Sequence, residues 1–114
     1  TELTERPHEK AYLNAYTYYK TGKYKSAIVA FKNALKQYPE SKRREEIMYL
    51  IVDSGYRLAS NSISEKQTDR YLSMLDSYLS FKEEFPESTH IKSLDRMAQQ
   101  ARDYLDRNNK DNNI

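Results

Sequence analysis

The chain contains no cysteine and no tryptophan, and only two glycines and three prolines in 114 residues. Without cysteine there is no disulfide framework, no thiol nucleophile and no thiolate metal site. So few glycines and prolines argue against an all-β sandwich or barrel, which needs a turn residue every few positions. They also exclude collagen-like and flexible-linker sequences. No apolar run approaches the ~18 residues of a membrane-spanning helix. The first residues, Thr1-Glu2-Leu3-Thr4-Glu5-Arg6, lack the apolar core of a signal peptide. Charge of one sign is also missing. Nineteen Lys and Arg face seventeen Asp and Glu, interleaved along the chain, for a net charge of +2. A nucleic-acid binder carries a clearly basic face, so nucleic acid is not an expected partner.

The chain has eleven tyrosines and a mean hydropathy of −1.00. Such polarity brings the chain close to the disordered class. Strong apolar periodicity argues the other way. Ala11, Tyr12, Ala15, Tyr16, Tyr18 and Tyr19 mark a first helix from His8 to Thr21, stopped by Gly22. Ala27, Ile28, Phe31, Ala34, Leu35 and Tyr38 recur at steps of three and four, which predicts a second helix ending at Pro39. Ser41 is the expected cap of a third helix, with Glu45 and Glu46 near its positive end. Its apolar face is Ile47, Leu50, Ile51, Ser54, Gly55 and Leu58, and the small Ser54–Gly55 pair favours close helix approach. After the polar stretch 61–66, a capping box from Ser64 to Gln67, or from Ser62 to Glu65, opens a fourth helix that stops at Pro86. Ser88 caps a fifth, with Ile91, Leu94, Ala98, Ala101 and Leu105 on its core stripe.

A shift of 47 residues superimposes the chain on itself. Tyr24 meets Tyr71, Ile28 meets Leu75, Phe31 meets Tyr78, and Ile47 meets Leu94. Tyr38-Pro39-Glu40-Ser41 meets Phe85-Pro86-Glu87-Ser88. The unit is helix, Pro-Glu-Ser turn, helix, at the scale of helical-hairpin solenoids. The expected fold is an all-α solenoid of about five antiparallel helices. The expected layout is an N-terminal extension over 1–7 and a first repeat over 8–41. A second, extended repeat covers 42–88 with a loop at 61–66. A closing helix over 89–107 and a disordered tail over 108–114 complete the chain.

No catalytic constellation emerges. His8 and His90 fit no metal motif. The serines lack a nucleophile-elbow context. Glu45–Glu46 and Glu83–Glu84 diverge by ~100° around a helix and make no acid–base dyad. No cofactor is expected. Tyr12, Tyr16 and Tyr19 share one helix face, flanked by Lys20. Tyrosine combines apolar area with a hydroxyl, so the stripe reads either as a binding surface or as a face buried against a preceding repeat. Lys42-Arg43-Arg44 is the compact basic cluster, and Lys66 lies one turn from Arg70. Arg43, Arg44, Lys66 and Arg70 read either as solvated helix-start charges or as contacts to an acidic protein patch.

Ala11, Ala15, Tyr18, Gly22, Tyr24, Ala27, Phe31, Ala34 and Pro39 resemble the signature of the tetratricopeptide repeat. In that repeat the positions of Tyr12, Tyr16 and Tyr19 line a concave partner-binding groove. A closer resemblance lies in Tyr38-Pro39-x-Ser41-x-x-Arg44-Glu45-Glu46, in Leu58-Ala59-x-Asn61-Ser62-Ile63-x-x-Lys66-x-x-x-Arg70-Tyr71, and in Phe85-Pro86-Glu87-Ser88. These strings resemble the C-terminal half of the BamD family, outer-membrane protein assembly lipoproteins, in its Bacteroidetes members. The resemblance implies a non-catalytic scaffold at the periplasmic face of the outer membrane. It implies docking to a BamA-like barrel protein and contact with other assembly subunits. Membrane attachment would come only through a lipid anchor outside this chain, so the absence of cysteine fits a fragment lying downstream of that anchor. The rival reading is a tetratricopeptide adaptor of another system, gripping a peptide in its concave groove.

Overall fold

The computed structural model describes the backbone of residues 2–112 and the side chains of residues 7–109. Five helices follow one another: α1 (Glu2–Lys20), α2 (Tyr24–Gln37), α3 (Arg44–Ser60), α4 (Ser64–Glu84) and α5 (Ile91–Asn112). No strand occurs among the described residues. Each helix packs on the next, and α3 also reaches α5. The radius of gyration is 15.3 Å, against about 13 Å for a compact domain near this length. The excess reflects a stack of hairpins rather than a ball. This is the all-α, tetratricopeptide-like helical-hairpin architecture that the apolar periodicity predicts.

The turns follow from specific residues. Gly22 has φ of 78°, the left-handed conformation that costs an L side chain most. Its N–H bonds Tyr19 O at 3.1 Å and the Lys23 N–H bonds Tyr18 O at 2.9 Å. Together these close α1 with a Schellman motif. The two Pro-Glu-Ser turns are hydrogen-bonded alike. Ser41 N–H bonds Tyr38 O at 3.0 Å, and Ser88 N–H bonds Phe85 O at 3.1 Å. Ser41 Oγ accepts from the Arg43 N–H and Ser88 Oγ from the His90 N–H, both at 3.1 Å. Arg44 N–H bonds Ser41 O as Ile91 N–H bonds Ser88 O. The 47-residue repeat therefore holds at the level of individual backbone bonds.

Two core clusters mark the two hairpins. Tyr12, Ala15, Ala27, Phe31, Ala34, Ile47, Leu50 and Ile51 are buried around α1, α2 and the start of α3. Val52, Ala59, Tyr71, Met74, Tyr78, Phe81, Leu94, Ala98 and Ala101 are buried around the rest. α3 serves both, so it is buried on two faces. Gly55 lets α4 come close: a Cβ there would lie 3.3 Å from Met74 Cβ. At the far end the repeat changes character. Buried Val52, Gly55 and Ala59 of α3 correspond to exposed Gln99, Arg102 and Asp106 of α5. α5 thus presents a polar outer face where α3 presents a packing face, as a capping helix does.

Several boundaries differ from the sequence expectation. α1 begins at Glu2, so residues 2–7 are helical; Pro7 sits within two turns of the start, where a missing N–H removes a single bond. α3 starts at Arg44, because Ser41 spends its side chain on the turn before the helix. The loop is only 61–63, since α4 begins at Ser64. No side-chain cap forms there. Gln67 instead donates to Ala59 O at 3.0 Å and pins the end of α3. α5 runs to Asn112, because nothing after Leu105 is a Gly or Pro stop. Residues 108–112 are therefore helical, and 113–114 lie outside the described residues.

Candidate functional site

Side-chain bonds join α1 to α3 and α3 to α5, so these three helices form one layer; α2 and α4, each packed on α3, form the other. In the first layer the tyrosine stripe is already engaged. Tyr12 is 6% exposed and lies in the core against Phe31, with ring centroids 6.3 Å apart. Tyr16 is half-buried, stacked between Tyr12 at 5.7 Å and Tyr19 at 5.8 Å. Lys20 Nζ lies 5.9 Å from the Tyr16 ring centre and stays exposed. Tyr19 donates its hydroxyl to Asp53 of α3. Of the three rings, Tyr16 with Lys20 remains within reach of a partner.

Asp53 is 1% exposed, a buried carboxylate on the central helix. Besides Tyr19 it accepts from Arg57 Nε at 2.8 Å. A buried carboxylate is tolerable when paired and hydrogen-bonded, as here. Burial first, then the bond to Asp53, pushes the Tyr19 phenol well above its ordinary pKa. Burial, with the neighbouring Glu46 carboxylate second, pushes Tyr12 up to about 12. Tyr49 is also raised, again chiefly by burial.

The basic cluster is divided between neighbours. Arg43 Nε donates to Glu9 of α1 at 2.8 Å and Nη1 to Glu46 at 3.1 Å, with its guanidinium 4.3 Å from the Tyr12 ring centre. The bond to Arg43 holds the Glu9 carboxyl below its usual range. Arg44 points the other way and forks onto Glu84 at the end of α4, one bond measuring 3.0 Å. Two adjacent arginines thus tie the start of α3 to α1 and to the end of α4. Lys66 is exposed. Arg70 donates to Ser62 Oγ, which donates in turn to Leu58 O. With Asn61 Nδ2 on Arg57 O at 2.9 Å, the Asn-Ser-Ile…Lys…Arg-Tyr string closes the α3–α4 turn.

The structure adds residues that periodicity did not single out. His90 stacks on Tyr49 with ring centroids 3.8 Å apart and meets the edge of Phe81, seating the α4–α5 turn on α3. His8, within α1, packs on Tyr38 at the end of α2, with ring centroids 4.1 Å apart. Both histidines pack on tyrosine rings. Asp53 carries no signal in the sequence, because a single acid inside a helical pattern reads as solvent-facing. Among the described residues no group of three His, Cys, Asp or Glu side chains is placed to hold a metal. None of the described helices is long and apolar enough to cross a membrane.

Paired helices locked by repeated turns and inter-helix polar ties, with grooves between them, define a helical-hairpin solenoid. The comparison with protein families narrows this. A family model described as outer membrane lipoprotein, YfiO, matches residues 4–110, nearly the whole chain. The chain belongs to that family, the one that includes BamD. No curated protein sequence matches the chain significantly.

Proposed function

We propose that this chain is a non-catalytic protein-binding scaffold of the machinery that assembles β-barrel proteins into the outer membrane. The family match over residues 4–110 carries the reading. In this reading the chain corresponds to the C-terminal half of a Bacteroidetes-lineage member. It sits at the periplasmic face of the outer membrane, attached through a lipid anchor that this chain does not itself carry. It docks onto the periplasmic domains of a BamA-like central barrel protein and contacts further assembly subunits.

The mechanism is rigid presentation. Arg43, Arg44 and Arg70 fix the relative placement of α1, α3, α4 and the α3–α4 turn, and Tyr12 and Tyr19 anchor α1 on α3. Tyr16, Lys20 and Lys66 then offer aromatic and cationic contacts from a surface that does not reorganise. A preorganised surface lowers the ordering cost of association. The test is a pull-down of outer-membrane extracts with the tagged chain at low salt. The reading expects recovery of the central barrel protein. Its absence, with the chain folded by circular dichroism, would overturn it.

A further inference from the structure

The charge of the chain is unevenly placed in space. Residues 10–39 contain six lysines and not one Asp or Glu. Lys10, Lys20, Lys23, Lys25, Lys32 and Lys36 are all exposed. None forms an ion pair among the described residues, whereas Arg43, Arg44, Arg57 and Lys82 are all paired with carboxylates. Residues 10–39 therefore concentrate positive charge inside a chain of net charge +2.

Part of that field borders a groove. α2 and α4 both pack on α3 and leave two adjoining cavities of about 210 and about 300 Å³, which share Lys32, Ile51 and Ser77 in their linings and together form a channel. Its floor is apolar: Met48, Ile51 and Leu58, with Gly55 deepening it by having no side chain. Lys25 and Lys32 line the α2 wall. The α4 wall is a row of hydroxyls, Ser73, Ser77 and Ser80, with Arg70 at one end. Asp76 is the single carboxylate on either wall. From Arg70 to Ser80 the channel runs roughly 15 Å, about three helical turns.

We propose that the α2–α4 groove docks an acidic, amphipathic polypeptide segment. Its apolar side chains would seat on Ile51 and Leu58, and its carboxylates would pair with Lys25, Lys32 and Arg70. An apolar floor between raised walls fits a row of side chains; a planar layer of lipid headgroups would touch the lysine rim and leave the floor uncovered. The serine row supplies hydroxyls for backbone or carboxylate oxygens. This deepens the scaffold reading by naming a surface and a partner chemistry, and it does not require that the partner be the barrel protein.

The test uses the full chain and a fluorescent peptide of about four helical turns, with leucines on one face and glutamates on the other. The control peptide has lysine in place of every glutamate. The proposal expects saturable binding of the glutamate peptide, weakening as salt rises, and none of the lysine peptide. K25E/K32E is expected to weaken binding by about tenfold or more. Ser77→Trp, which fills the channel where its two sections join, is expected to abolish it. Circular dichroism checks that each variant folds, and the charge-reversal pair serves alone if Ser77→Trp does not. Equal binding of both peptides, or of wild type and K25E/K32E, would overturn the proposal. So would sedimentation with phosphatidylglycerol vesicles accompanied by no peptide binding. A failed pull-down of the barrel protein alongside intact peptide binding would count against the assembly reading only.

Discussion

Tyr19 of α1 donates its hydroxyl to the buried carboxylate of Asp53 on α3, thirty-four residues along the chain. This bond joins two helices of one layer that are not consecutive in sequence. Arg57 balances the charge from the same helix. Tyr19→Phe removes a hydrogen bond to a charged group and is expected to cost about 1.5–3 kcal/mol. Chemical denaturation of Tyr19→Phe, Asp53→Ala and the double variant measures the coupling. Strict additivity would show that the two side chains do not act together.

Alkaline pH reads the same region. In the fold the Tyr12 and Tyr19 phenols titrate above the ordinary value of 10.0, Tyr12 at about 12. In the unfolded chain they ionise near 10, so their contribution to stability is intact below pH 10. It is lost as pH rises from 10 through the folded values, because ionisation then favours the unfolded state. A Tyr12→Phe/Tyr19→Phe variant, weaker at neutral pH, is expected to lose less stability between pH 10 and 12 than wild type. Tyrosinate absorbance is expected to show a late-titrating component in the folded chain that disappears on unfolding.

The first hairpin depends on one turn and one ring. Gly22→Ala forces an alanine into φ of 78° and is expected to cost ~1–2 kcal/mol. Phe31 is fully buried, and Phe31→Ala is expected to cost ~3–5 kcal/mol. Urea denaturation monitored by circular dichroism checks both. A loss under ~1 kcal/mol for Phe31→Ala would contradict its place at the centre of the hairpin.

The polar face of α5 makes a solubility prediction. Gln99→Val with Asp106→Ala restores the residue types that α3 uses at the matching positions, Val52 and Ala59. The variant is expected to keep its helicity and to self-associate, since a capping face has become a packing face. Analytical ultracentrifugation decides; a monomer at all concentrations would show that α5 does not act as a cap.

Much of this fold is legible in the sequence, for identifiable reasons. Phe31, Leu94, Ala98 and Ala101 sit on clean three-and-four stripes, and all are buried. Gly22 and the two Pro-Glu-Ser turns are local devices whose geometry needs no tertiary context. The family resemblance rested on strings such as Asn61-Ser62-Ile63 and Arg70, which close the α3–α4 turn. The buried Asp53 was not legible, because its partner Tyr19 lies on another helix and no periodicity reports a long-range polar pair. A helix start is hard to read where a serine caps a turn instead of a helix, as Ser41 does before α3. The run of six lysines without a carboxylate over 10–39 is legible in the sequence; that Arg43, Arg44, Arg57 and Lys82 are tied to carboxylates is not, because those pairs are long-range or depend on side-chain placement.

The most direct test of the scaffold account is a calorimetric titration of the purified chain with the soluble periplasmic domains of the central barrel protein. The account predicts saturable one-to-one binding with a dissociation constant of about micromolar or tighter, and unchanged helix content in the bound chain. No heat of binding at chain concentrations of order 100 µM, with both proteins folded, would contradict it.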